Sequence, residues 1–184
     1  MRIAVTGGIG SGKSYVCKRL AARGIDVYDC DAAAKRLMRT SADLQERLKR
    51  LVGEEVYRDG MLQKPVMARF LLGSEANQRT VNAIVHPAVA EDFLQSGMDW
   101  MECAILYESG FDRLVDWVVC VVAPRETRLQ RVMQRDGLSR EQALQWLAKQ
   151  LPQDEVLSRS DFSIVNDGSA DLDSQIEHII QQIK

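Results

Sequence analysis

The sequence predicts an α/β fold in which an open, parallel β-sheet of five strands is flanked by helices. Three observations carry this. Apolar, often β-branched runs of strand length recur at Arg2 to Val5, Ile25 to Tyr28, Trp100 to Leu106, Trp117 to Ala123 and Phe162 to Val165. Stretches with apolar residues at helical spacing separate these runs. A glycine-rich turn stands between the first run and the first helical stretch. Alternating strands and helices imply crossover connections, and those make neighbouring strands parallel.

The elements follow in order. From Lys13 to Arg23, the residues Val16, Leu20 and Ala21 keep helical spacing, and Gly24 suits the position just past the helix end. After the second strand a helix is expected from Ala32 to Arg39. Ser41 can cap a helix carrying Leu44, Leu48 and Leu51, which Gly53 closes. Asp59-Gly60 reads as a turn, and Pro65 suits the first turn of the next helix. Ser74 can cap another, with Val81, Ile84 and Val85 on one face. A proline lacks the backbone donor, so His86-Pro87 is expected to end that helix and start a new segment. Pro124 opens a helix to about Arg135. Ser139 and Gln142 form a capping box for one reaching about Gln150. Asn166-Asp167-Gly168 is a turn. Asp171 to Ile183 is an amphipathic closing helix on Leu172, Ile176, Ile179, Ile180 and Ile183.

The helical stretch 41–96 is too long for a simple crossover, so a substrate-binding insertion is expected there. The core is expected at about 1–40, 97–124 and 160–184, with a lid at about 125–159. All belong to one domain.

Composition narrows the function. With 46% hydrophobic and 27% charged residues among 184, the chain has the balance of an ordinary folded protein. A formal charge of -2 lacks the basic surplus of a nucleic-acid binder, so no nucleic-acid partner is expected. Cys17, Cys30, Cys103 and Cys120 form no C-x-x-C pair and have only His86 and His178 beside them, so they read as buried free thiols rather than a zinc site. No apolar stretch is long enough for a bilayer, and the N-terminus carries no secretory h-region. A cytoplasmic monomer or weak homo-oligomer is expected.

Gly7-Gly8-Ile9-Gly10-Ser11-Gly12-Lys13-Ser14 matches G-x-x-x-x-G-K-[ST] in full, between a strand and a helix. Glycines let backbone N–H groups of Gly8, Gly10, Ser11 and Gly12 curl around an anion that side chains would obstruct. The following helix adds the positive end of its dipole. Lys13 can reach the β- and γ-phosphates, and the Ser14 hydroxyl can ligate Mg²⁺. The motif points to a nucleoside triphosphate. Alone, it does not separate a kinase from a GTPase or a motor.

Further polar residues stand at strand ends. Asp29 and Asp31 follow the second strand, where an open parallel sheet faces its ligands. Each reads either as a helix cap or turn residue, or as a carboxylate that accepts a proton from an attacking hydroxyl or holds a water on Mg²⁺. Glu108 follows the third strand and reads either as a loop residue or as a ligand for substrate or for a Mg²⁺-bound water. Arg128, Arg131 and Arg135 recur at i, i+3 and i+7, with Arg125 and Arg140 nearby. They read either as a solvated face, partly paired with Glu126 and Asp136, or as a flap that brings cations to a migrating phosphoryl group.

Together these segments resemble the dephospho-CoA kinase family. The resemblance rests on Thr6 to Ser14, on Arg23-Gly24-Ile25 before Asp29-Cys30-Asp31, and on Asn82-Ala83 before His86-Pro87. It continues through Ile105-Leu106-Tyr107-Glu108, Arg131, Gln134-Arg135-Asp136, Gln150, and Asp161 to Gly168. It implies transfer of the γ-phosphoryl group of ATP, with Mg²⁺, to the 3′-hydroxyl of dephospho-CoA. It also implies that Asp31 is the general base, that Arg131, Arg135 and Arg140 belong to the lid, and that Asn166 lies by the adenine. His86, Glu108, Lys64 and Arg69 are expected on the substrate side. Tyr15 stands where the family has threonine, and its backbone N–H is expected to serve ATP. Pro65, Ala68 and Phe70 stand where basic or polar residues are frequent, and Val156 where lysine is. A different kinase of the same fold is the nearest alternative. A GTPase-like switch would need an N-K-x-D run, and none occurs.

Overall fold

A computed structural model describes residues 1–183. The chain divides into two compact units: Met1–Tyr28 together with the chain from Met98 onward, and Asp29–Gly97.

The first unit is built on the five-stranded sheet. Its strands are β1 (Ile3–Thr6), β2 (Val27–Asp29), β5 (Trp100–Glu102), β6 (Trp117–Val122) and β7 (Phe162–Val165), in the order β2-β5-β1-β6-β7. β1 pairs in parallel with β5 and β6, and β6 with β7. Every residue of β1 is buried, the condition of a central parallel strand covered on both faces. Ile3 and Val5 share a core with Val16 and Leu20 of α1 (Lys13–Ala21), Val119, Val121, Ile164, and Ile176 and Ile179 of α10 (Leu172–Ile183). Burying each such side chain stabilises the fold by roughly 1.5–3 kcal/mol. A second core of Leu129, Val132 and Ala143 joins α7 (Arg125–Asp136) to α8 (Arg140–Ala148). The Ser139–Gln142 capping box forms as expected.

Two sequence expectations are corrected in this unit, and one helix is added. The third strand is not Trp100 to Leu106: it ends at Glu102, and Leu106 opens the short helix α6 (Leu106–Ser109). Cys103 N still bonds Val5 O at 3.0 Å, after which the backbone of Ile105 leaves the β region and the chain turns. Leu106 is buried for packing, not for pairing, which is why an apolar run misled. α8 ends at Ala148, short of Gln150. A further helix, α9 (Gln153–Ser158), follows Pro152 and was not anticipated.

The second unit holds α2 (Cys30–Thr40), α3 (Ala42–Val52), the hairpin β3 (Tyr57–Arg58) with β4 (Met61–Leu62), α4 (Lys64–Gly73) and α5 (Glu75–Ser96). Asp59-Gly60 turns this hairpin with both φ angles positive, 51° and 74°. The two-residue strands escaped the sequence reading because they are too short to show alternation. His86-Pro87 does not end a helix, contrary to expectation: α5 runs through Pro87. Val81, Val85, Val89 and Phe93, spaced by four, are all buried along one face, and their packing outweighs the lost backbone bond.

Candidate active site

Parallel strands bring their carboxyl ends to one edge of the sheet, and chemistry-bearing residues gather there. β1 delivers the loop Gly7 to Gly12, β5 delivers Glu102, and β7 delivers Asn166. β1 and β5 are in register at Val5 and Glu102, β6 and β7 at Val122 and Val165.

The loop is shaped by its glycines where no other residue fits. Gly10 and Gly12 have φ of 78° and 92°, the left-handed region. A Cβ on Gly10 would meet the Arg128 carbonyl oxygen at 2.5 Å, and one on Gly12 would collide with the Asn166 carboxamide. Lys13 is buried, 8% exposed, and its Nζ donates to Gly7 O at 2.9 Å. The ammonium group is thus folded over the loop. Among the described residues, the Ser11 hydroxyl is buried without a hydrogen-bond partner.

Ser14 Oγ donates to Glu102 Oε1 at 3.2 Å at the exposed end of α1. Sequence reading missed Glu102. Its only signal was an acid near the end of an apolar run, and that run was taken four residues too far. The pair offers a hydroxyl and a carboxylate oxygen together, the hard donors that Mg²⁺ prefers beside phosphate oxygens. The residues present therefore fit that ion. Among the described residues no cluster of three or more His, Cys, Asp or Glu could hold a metal by itself.

The lid arginines part company. Arg128 is 7% exposed, donates from Nε to Ile9 O at 3.0 Å, and lies across Gly8. Burial lowers its pKa, and the nearby charge of Arg125 lowers it further. Arg131 donates to Asn166 O at 3.0 Å. Asn166, 7% exposed, donates from Nδ2 to Ser11 O at 2.9 Å. Arg135 lies outside this group: its guanidinium bonds Asp136 on the surface, holding that carboxyl below its ordinary range. Arg140 makes a two-pronged pair with Glu126 at 2.6 and 3.0 Å. The acids expected as partners for part of this set are indeed its partners.

Beside the loop a cavity of about 590 Å³ is lined by Gly12, Tyr15, Arg19, Arg131, Asn166, Gly168 and the segment Ala170 to Asp173. Tyr15 forms one wall, with the Arg19 guanidinium 4.8 Å from its ring centre. The Tyr15 N–H bonds Gly12 O at 3.0 Å, so that amide turns into the helix. Glu108 is exposed and accepts from Leu151 N at 3.2 Å, which ties α6 to the segment after α8. Cys120 lies buried near Lys13 and Arg128, and burial pushes its thiol up to about 11.

The remaining expected residues lie in the second unit. Asp29 caps α2, accepting from Ala32 N at 2.8 Å. Asp31 is left exposed in the first turn, and among the described residues no hydrogen bond or ion pair engages its carboxylate. Lys64 and Arg69 are exposed on α4. His86 is half-buried in α5, and burial lowers its pKa from 6.5.

Known proteins resemble this chain along nearly its whole length. The model of the family described as dephospho-CoA kinase matches residues 1–171. A dephospho-CoA kinase of Bacteroides fragilis is 41% identical over 98% of this chain and 91% of its own length. A crystal structure from Thermus thermophilus is 32% identical with a TM-score of 0.82, covering 100% of this chain and 95% of that one. A structure titled dephospho-CoA kinase from Campylobacter jejuni shares the fold at 23% identity and a TM-score of 0.70, covering 99% and 96%.

Proposed function

The chain belongs to the dephospho-CoA kinase family, and from that premise we propose how its own residues perform the ATP-dependent phosphorylation that completes coenzyme A synthesis. The γ-phosphoryl group of ATP passes to the 3′-hydroxyl of dephospho-CoA. A bond forms between that oxygen and the γ-phosphorus, and the bond from phosphorus to the β–γ bridging oxygen breaks. The hydroxyl proton goes to the Asp31 carboxylate, and the products are CoA and ADP.

One observation carries the nucleotide half of this reading. The glycine loop, with Lys13 folded over it, adjoins a cavity whose walls are Tyr15, Arg131 and Asn166. Its volume, about 590 Å³, suits a nucleotide. The triphosphate belongs on the loop amides of Gly8, Gly10, Ser11 and Gly12 at the amino end of α1, and the adenine by Asn166. Ser14 and Glu102 would hold Mg²⁺, which supplies neutralisation of phosphate charge when bound. Lys13 moves from Gly7 O to the phosphates. Arg135 and Arg140 leave their exposed acid partners for the migrating group, at small cost because surface ion pairs are weak.

Asp31 suits a base because Asp29 has already taken the capping role. His86, Lys64, Arg69 and Glu108 serve the acceptor. Among the described residues no helix is long and apolar enough to cross a membrane. We place the protein in the cytoplasm, as a monomer or weak homo-oligomer with no nucleic-acid partner.

The test is ADP release from Mg·ATP with and without dephospho-CoA. Release should require the acceptor. Asp31→Asn should cut turnover by about 10²–10⁴ while ATP still binds. Full turnover in that variant removes Asp31 from the role of base.

A further inference from the structure

Ile9 is the one branched residue in the glycine loop, and everything it offers is taken by the segment 125–153. Its N–H donates to Gln150 Oε1 at 2.7 Å. Its carbonyl accepts from Arg128 Nε at 3.0 Å. Its side chain packs on the core of Leu129, Val132 and Ala143. Gln150 is itself held in place. The next residue, Leu151, donates its N–H to Glu108 at 3.2 Å, and Gln153 Oε1 accepts from Ala123 N at 3.2 Å. The segment after α8 is therefore anchored on both sides of the carboxamide that reaches the loop.

A loop rich in glycine visits many backbone conformations when nothing restrains it. A ligand that binds one of them loses affinity by the fraction of time that conformation is absent. Restraining the loop at its bulky residue raises that fraction before ATP arrives. The peptide N–H of Ile9 is thereby committed to Gln150 and not to the anion.

We propose that Gln150 is a positioning residue for ATP: it holds the Ile9 amide, and through it the curl of the phosphate loop, with Arg128 holding the other side of the same residue. This rests on the nucleotide site proposed above. Gln150 touches no reacting atom. Its effect belongs on ATP affinity and not on the acceptor.

The experiment compares the wild type with Gln150→Met, which keeps the size but not the acceptor, and with Gln150→Glu, which keeps the acceptor. Gln150→Met should raise the Kd and KM for Mg·ATP about fivefold to tenfold, the effect of one lost hydrogen bond, with the KM for dephospho-CoA unmoved. Amide hydrogen exchange at Ile9 should be slow in the wild type, fast in Gln150→Met and slow again in Gln150→Glu. Unchanged ATP affinity in Gln150→Met, or equal rises in both KM values, overturns the proposal. If Gln150→Met does not fold, Ile9 exchange in the wild type decides: an amide that exchanges as fast as an open loop refutes the restraint. ATP binding and exchange are read without acceptor, so a wild type inactive on dephospho-CoA would instead count against the assigned reaction.

Discussion

The Ser14 hydroxyl and the Glu102 carboxylate meet at 3.2 Å, joining the first turn of α1 to the last residue of β5. Nothing in local sequence pairs them, since 88 residues separate the two. The register of β1 with β5 does, by setting Val5 opposite Glu102. Glu102→Gln should therefore raise the Mg²⁺ concentration for half-maximal ADP release by about tenfold to a hundredfold, the range seen when groups orienting a metal site are removed. An unchanged Mg²⁺ dependence would exclude Glu102 from the ion's surroundings.

Asn166 offers a second test. Its carboxamide holds the buried Ser11 carbonyl, and its backbone oxygen takes Arg131. Asn166→Ala removes the shorter bond to that carbonyl and leaves it the longer one from Arg131 at 3.4 Å, at a cost of about 0.5–1.5 kcal/mol. Thermal stability and ATP affinity should both fall. Calorimetric titration with Mg·ATP that matched the wild type would show that the carboxamide is irrelevant to nucleotide binding.

Pro87 makes a prediction of opposite sign. It sits inside α5, where it cannot bond the carbonyl of Ala83 four residues back. Pro87→Ala restores that bond. An interior proline costs about 3 kcal/mol, and its effect on the unfolded chain returns about 0.4–1 kcal/mol. A net gain of about 2 kcal/mol is expected, seen as a higher midpoint of thermal unfolding. A lower midpoint would mean that the ring itself fills space in the packing of α5.

His86 sets a pH dependence. Burial holds its folded pKa below the 6.5 of the unfolded chain. The unfolded state then binds the proton more tightly, so stability is complete above about pH 6.5 and falls as the pH drops through 6.5 toward the folded pKa. Chemical denaturation across this window should show the loss, and His86→Gln should flatten it. An imidazole that titrates by NMR at or above 6.5 contradicts the direction.

Much of the fold was legible because its signals are local. Capping by Ser41, Ser74 and Ser139 depends on residues three positions away, and all three caps form. The errors have physical causes of one kind. Apolar Leu106 extended a strand because burial in a helix and burial in a sheet look alike in one dimension. Pro87 was read as a break because its local cost was visible and the packing of Val81, Val85, Val89 and Phe93 was not. Asp29 and Asp31 stayed ambiguous until the cap at Ala32 N identified which carboxylate is spent on the helix.

By itself the sequence determined the phosphate loop, the alternation of strands with helices, and the family. These are properties of neighbours along the chain: glycines that permit left-handed backbone, a lysine and a serine at the start of a helix, apolar residues at a fixed period. Tertiary structure alone decided that Glu102 meets Ser14, that Asn166 bonds Ser11, and that Gln150 reaches Ile9 across 141 residues. Those contacts depend on strand register and on how helices seat against the loop, which are set by the packing of the whole unit and by no short stretch of it.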